Sequence, residues 1–142
     1  MTRRRLMILI PLAACAAGPR PDSEQEVWDL FASLAGALSE GNAGEFLKAF
    51  DPAMPGYEKL RAGVTGLLRE AQVECSIAFV SNEGDDRNRR VEVDWILRID
   101  ERQDAGGSVR RRQSVKGRVE KRGKRWWIEG LEPLDFFAPP KL

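Results

Sequence analysis

The chain has 142 residues, with 23 Lys and Arg against 22 Asp and Glu, no His, two Cys, four Trp and one Tyr. That is one domain's length, and 42% hydrophobic residues suffice for one core without suggesting a polytopic membrane protein. The lack of His excludes Ser-His-Asp and Cys-His catalysis, imidazole base chemistry and His-ligated zinc, and two Cys cannot build a four-thiolate metal site. Neither a metal nor a cofactor is expected.

Met1 to Arg5 form a basic leader segment, and Leu6 to Ala14 are apolar apart from Pro11. Nine residues are too few to cross a hydrocarbon core that needs about 20 in helix, so residues 1–14 read as an export signal. The run ends in Leu12-Ala13-Ala14-Cys15, which resembles the bacterial lipobox. That resemblance implies diacylation of the Cys15 thiol, cleavage in front of it and anchoring of the chain to a membrane. An ordinary signal with an incidental Cys is the alternative for the same residues. Residues 15–22 then form a tether, because Gly18, Pro19 and Pro21 deny helix and strand alike. The same resemblance implies sorting to the outer membrane, with the domain on its periplasmic side, where the residue after the Cys is not Asp, and Ala16 fits that. Thr2 to Met7 also loosely resemble a twin-arginine signal, which leaves the export route open.

Without residues 1–14 the chain holds 20 basic and 22 acidic residues. Charge is uneven: residues 15–86 carry 5 basic and 13 acidic side chains, and residues 87–142 carry 15 and 9. Acids interspersed among the bases favour an ion-paired sheet face over a nucleic-acid surface, so no nucleic-acid partner is expected.

Ser23 to Glu26 read as a capping box opening a first helix, with Val27, Leu30, Phe31, Leu34 and Leu38 on one stripe before Gly41. Asn42 and Glu45 repeat that logic for a short helix carrying Phe46, Leu47 and Phe50, stopped by Asp51-Pro52. A third helix is predicted from Tyr57 to about Glu70, with Leu60, Val64, Leu67 and Leu68 inward.

After Ala71 the period changes to two. Val73, Cys75, Ile77 and Phe79 mark the inner face of a first strand; Val91, Val93, Trp95, Leu97 and Ile99 mark that of a second. Asp104 to Gly107 form a hairpin loop. A third strand from Val109 to Glu120 sets Val115 and Val119 inward and Arg110, Arg112, Lys116 and Arg118 outward, with a bulge expected at Gly117. In the fourth, Trp126 and Ile128 oppose Trp127 and Glu129. Neighbouring strand residues point to opposite faces, so one helical layer cannot bury both indoles. Trp126 is expected inward, and Trp127 outward near Ile96.

Three helices followed by a four-stranded antiparallel meander is an α+β pattern, a helical layer on one face of a curved sheet. That order, with Glu45-Phe46-Leu47-Lys48-Ala49-Phe50-Asp51 in the second helix and Gly123-Lys124-Arg125-Trp126-Trp127-Ile128-Glu129-Gly130-Leu131 in the last strand, resembles the nuclear transport factor 2-like (SnoaL-like) superfamily over residues 23–137. Residues 138–142 are left as a C-terminal tail. The resemblance implies a cystatin-like cone: a sheet wrapping the helices around a pocket that a small apolar ligand could enter. Phe31, Leu34, Phe50, Tyr57, Val93, Trp95, Leu97 and Trp126 are the expected lining. Enzymatic relatives resemble one another in carrying an Asp with Tyr donors or an Asp-His pair, and this chain departs from both. Asp51 reads as a helix stop, Asp94 as facing away from the core beside cross-strand Arg, Tyr57 as a packing residue and Cys75 as an inert buried thiol.

The expected role is therefore a lipid-anchored, non-catalytic binding or assembly module of the cell envelope. The alternative is an isomerase, dehydratase or cyclase using a pocket carboxylate. Ile96, Arg110, Arg112, Arg118 and Trp127 form the candidate interface for a homodimer or an envelope protein. The competing expectation is that Leu134, Phe136 and Phe137 fold back over that face.

Overall fold

The computed structural model describes residues 22–102 and 107–140. The expected export signal, Cys15, the tether up to residue 21, the tip of the hairpin loop at 103–106 and the last two residues lie outside them.

Helix α1 spans Asp22–Ser39, α2 Ala43–Leu47 and α3 Tyr57–Glu70. Strands β1 (Ala71–Gly84), β2 (Asn88–Glu101), β3 (Ser108–Arg122) and β4 (Arg125–Glu132) follow, and a 3-10 turn spans Leu134–Phe137. The strands form one antiparallel sheet in the order β1-β2-β3-β4. One face of that sheet packs on the helices, because every second residue of β2 from Val91 to Ile99 is buried with Val27, Phe31 and Leu34 of α1 and Leu60, Val64 and Leu67 of α3. This is the α+β architecture expected from the change of period at Ala71.

Local chemistry fixes several joints. Asn42 accepts from the Glu45 amide at 3.0 Å and caps α2. Phe50 lies beyond α2, in a parallel bridge to Ile128 that covers the outer edge of β4. Gly56, at φ +82°, precedes α3 in the left-handed conformation that glycine adopts without strain.

Ser23 and Glu26 do not form the predicted capping box. The helix already includes Asp22, the Ser23 hydroxyl donates to Asp86 Oδ1 at 3.1 Å, and Glu26 Oε1 accepts from the Trp126 indole at 2.8 Å. Tertiary partners on the sheet outcompete the local pair.

The bulge also differs in place. The β3–β4 register slips between Arg118 and Val119, with Glu129 as the extra residue on β4, so Gly117 is not itself bulged. Gly117 answers a different need, since a Cβ there would stand 3.0 Å from Cζ of Phe31. A second slip, between Phe79 and Ser81, leaves Val80 as the extra residue of β1.

Candidate functional site

The eight residues expected to line the cone all reach the helical side of the sheet, but they do so as packed core. Phe31, Leu34, Phe50, Val93, Trp95, Leu97 and Trp126 are buried, and Tyr57 is half-buried beside them. The centre is occupied by the C-terminal segment. Phe137 is fully buried, edge-on to Trp95 with ring centroids 5.1 Å apart and 5.6 Å from Phe46.

The tail therefore lies on the helical side of the sheet and not over the outer face, contrary to the competing expectation. Three contacts fix it there. Arg111 donates to the carbonyl oxygens of Phe136 and Ala138 at 2.7 and 2.6 Å, Lys59 pairs with Asp135 at 2.9 Å, and Gly63 and Gly66 leave bare helix surface against Ala138 and Pro139. Arg111 was missed by the sequence reading, which counted the Arg of β3 only in its outward phase. Its signal was there: a cation in the inward phase of a strand needs acceptors, and backbone carbonyls supply them. Partial burial lowers the Arg111 pKa from its ordinary value.

Among the described residues no Asp or Glu is buried at the centre of this packing. Cys75 is half-buried, and burial raises its pKa, which makes it a poor nucleophile. The Trp95 indole N–H finds no hydrogen-bond partner among the described residues. Asp51 ends the α2 segment, accepting from the Ala53 amide at 2.8 Å and pairing with Arg122 at 2.9 Å; both hold its carboxyl below the usual range. Asp94 faces outward and is held by two donors of Arg112, at 2.7 and 3.2 Å. Among the described residues no group of three or more His, Cys, Asp or Glu side chains is gathered in a way that could hold a metal.

Among the described residues a cleft opens on the other side of the sheet. It measures about 650 Å³ and is lined by residues of all four strands, with Arg90, Glu92, Lys116, Arg118 and Glu132 on its walls. The ladder registers build it as two charged rows. Glu92, Lys116 and Glu132 stand side by side across β2, β3 and β4, and in the next outward row stand Arg90, Arg118 and Gly130. Gly130 leaves room for the Arg118 guanidinium to lie flat, because a Cβ there would meet Nη2 at 2.8 Å. Like charges directly opposite one another across a ladder are unfavourable. Arg118 has Glu129 at 3.5 Å, whereas neither Arg90 nor Lys116 has an ion-pair or side-chain hydrogen-bond partner among the described residues.

Beyond Arg118 the outer face continues to Trp127, which pairs across the ladder with Glu120. The Arg125 guanidinium stands 3.9 Å from the centroid of this indole and that of Arg122 stands 5.8 Å from it. Arg122 also joins Glu120 at 2.8 Å, Asp51 at 2.9 Å and Glu129 at 3.3 Å, and the contacts with Glu120 and Asp51 raise its pKa. Partial burial and the neighbouring Glu120 push the Glu129 carboxyl above the usual range, against the pull of Arg122.

The five candidate interface residues all lie on the outer face, but not in one patch. Ile96 pairs with Arg112, and Arg98 with Arg110, whereas Glu120, the partner of Trp127, pairs with Asn88. Eight residues of strand, about 26 Å, thus separate the Ile96 row from the Trp127 row. Side-chain alternation placed both on one face; the register puts them at opposite ends. Arg118, Trp127 and the cleft remain contiguous, while Ile96, Arg110 and Arg112 stand apart from them.

Comparison with solved structures identifies the fold as that of the nuclear transport factor 2-like, cystatin-like proteins. A Novosphingobium aromaticivorans protein provisionally assigned as an aromatic ring hydroxylase superposes with a TM-score of 0.66 at 12% identity, over 78% of this chain and 86% of its own. Another protein from that organism, provisionally assigned as a scytalone dehydratase, gives 0.64 at 9% identity over 75% and 79%. A nuclear transport factor 2-like protein of unknown function from Shewanella oneidensis gives 0.57 at 13% identity over 75% and 94%. No protein-family model matches the chain. No curated protein matches it either.

Proposed function

We propose that this protein is a lipid-anchored binding module of the bacterial cell envelope, non-catalytic, held to the periplasmic side of the outer membrane through Cys15 and docking a protein partner on the outer face of its sheet. The observation that carries the reading is where the open volume lies. The cone in which a pocket carboxylate would have to work is filled by Trp95, Phe137 and their neighbours, whereas the outer face offers a cleft of about 650 Å³ beside the opposed Arg90 and Arg118. An occupant that brings a carboxylate between those guanidinium groups relieves their repulsion. Trp127, roofed by two Arg side chains, supplies an aromatic anchor at the end of the same region. A second copy of the chain also fits, because each cleft carries both signs in adjacent rows.

The test is a photo-crosslinking side chain placed at position 127, and separately at position 96, in the full chain expressed in its own envelope, with the joined peptides identified by mass spectrometry. A single defined protein joined at 127 and lost on Arg118→Glu is the expected result. Equal crosslinking from position 96, or none from either, would overturn the docking face.

A further inference from the structure

Of the three exposed large hydrophobic side chains among the described residues, two are consecutive: Phe79 is 44% and Val80 56% exposed. They lie on β1, an edge strand of the sheet. Their exposure does not make that edge a template for another strand, because the ladder slips here and Val80 is bulged, a device that blunts strand pairing. The half-buried Trp28 of α1 stacks on Phe79 with centroids 4.0 Å apart and planes 24° from parallel. Trp28, Phe79 and Val80 thus make a small patch whose aromatic rings are braced against each other.

Its position in the chain is as informative as its chemistry. Asn82, two residues after Val80, donates to the Glu24 carbonyl at 3.1 Å, so the patch adjoins the first turn of α1. Trp28 stands six residues along the helix from Asp22, about 9 Å of rise. Asp22 is in turn seven residues from Cys15, which a fully extended chain spans in at most about 25 Å. A lipid on Cys15 therefore keeps the patch within a tether's length of the bilayer surface.

We propose that Trp28, Phe79 and Val80 are a membrane-contact patch that seats the domain against the headgroup layer of the bilayer holding its lipid; this rests on the lipid-anchor reading given above. Aromatic rings with one apolar and one solvated side settle at that depth. Three side chains are too few to hold a protein on a membrane alone, but a short tether raises their effective concentration there and makes a weak contact persistent. The surroundings carry both signs with acids in excess, Glu24 and Asp29 on the helix and Glu83, Asp85 and Asp86 beside Arg87 and Arg89 along the β1–β2 turn and its flanks. Seating therefore does not depend on anionic lipid. It also orients the domain, since it sets the β1 edge on the membrane and leaves β4, at the far edge of the sheet, away from it.

The experiment uses the chain purified from its own envelope and reconstituted into phosphatidylethanolamine and phosphatidylglycerol vesicles, with and without brominated acyl chains. Mass spectrometry of the N-terminal peptide reports the lipid on Cys15 independently. The difference in fluorescence between the parent protein and Trp28→Phe isolates one indole. Bromine should quench that difference signal at least twofold, equally in phosphatidylcholine vesicles and at high salt. A Phe79→Ser, Val80→Ser double variant with unchanged near-ultraviolet circular dichroism should lose the quenching. A diacylated Cys15 with a Trp28 signal that bromine leaves unmoved would overturn the patch while leaving the anchor intact. An unmodified Cys15 would remove the anchor reading and the patch proposal together.

Discussion

The ring of Phe137 meets that of Trp95 edge-on at 5.1 Å, so the C-terminal segment completes the core that β2 begins. Truncation by Phe137→Ala removes a fully buried ring and should cost about 3–5 kcal/mol, read as a lower midpoint in a denaturant titration. It should also open space beside Trp95 that an apolar dye can enter. A midpoint within error of the parent would show that the segment only rests on the cone.

Arg111 should behave differently from its neighbours. It reaches two carbonyl oxygens of the tail, whereas Arg110 is fully outward and solvated. Arg111→Ala leaves both carbonyls without that donor and should cost about 1–3 kcal/mol. Arg110→Ala should cost under about 1 kcal/mol, because the side chain is exposed and stands opposite Arg98, a like charge. Equal effects would mean that the tail is not held through Arg111.

Leu97 is fully buried in the middle of β2. Leu97→Ala should cost about 2–5 kcal/mol through the cavity it leaves. Measured against Arg110→Ala in the same titration, a difference near zero would place the strand one residue out of register.

Glu26 gives a pH-dependent signature. The Trp126 indole, and then Lys121, hold its carboxyl below the usual range. Because the folded pKa is the lower one, the stabilisation is present above the unfolded carboxylate value and is lost as pH falls through the folded value. Glu26→Gln should therefore lower the denaturant midpoint at neutral pH, and the gap from the parent should close in acid. A gap independent of pH would assign the effect to packing.

How much of this could be read from residues alone depends on how local each determinant is. The alternation from Val91 to Ile99 needs no partner to be recognised, and it placed every buried side chain of β2. Parity also put Trp126 inside and Trp127 outside. Parity says nothing about position along a ladder, however, which is why Ile96 and Trp127 were expected to be neighbours and stand about 26 Å apart. Ser23 and Glu26 match a capping box in spacing, but Asp86 and Trp126, 63 and 100 residues away, take their side chains. Phe136 and Phe137 announce an apolar doublet without saying which side of the sheet receives it; the answer rests on Arg111 and on bare helix surface at Gly63 and Gly66. The cleft was out of reach for the same reason, since its two rows exist only once four strands are in register.

The helix that opens the domain is locked almost entirely by residues made much later. Ser23 waits for Asp86, the Glu24 carbonyl for Asn82, and Glu26 for Lys121 and Trp126, at separations of 63, 58, 95 and 100 residues. Contacts so distant form late, because the loop they close must be ordered first. A ribosome-bound chain lacking β4 and the final Phe137 thus misses the Trp126 contact to Glu26 and the ring against Trp95, and its core stays incomplete until synthesis is nearly done. If the chain is exported as proposed above, that delay helps to keep it threadable.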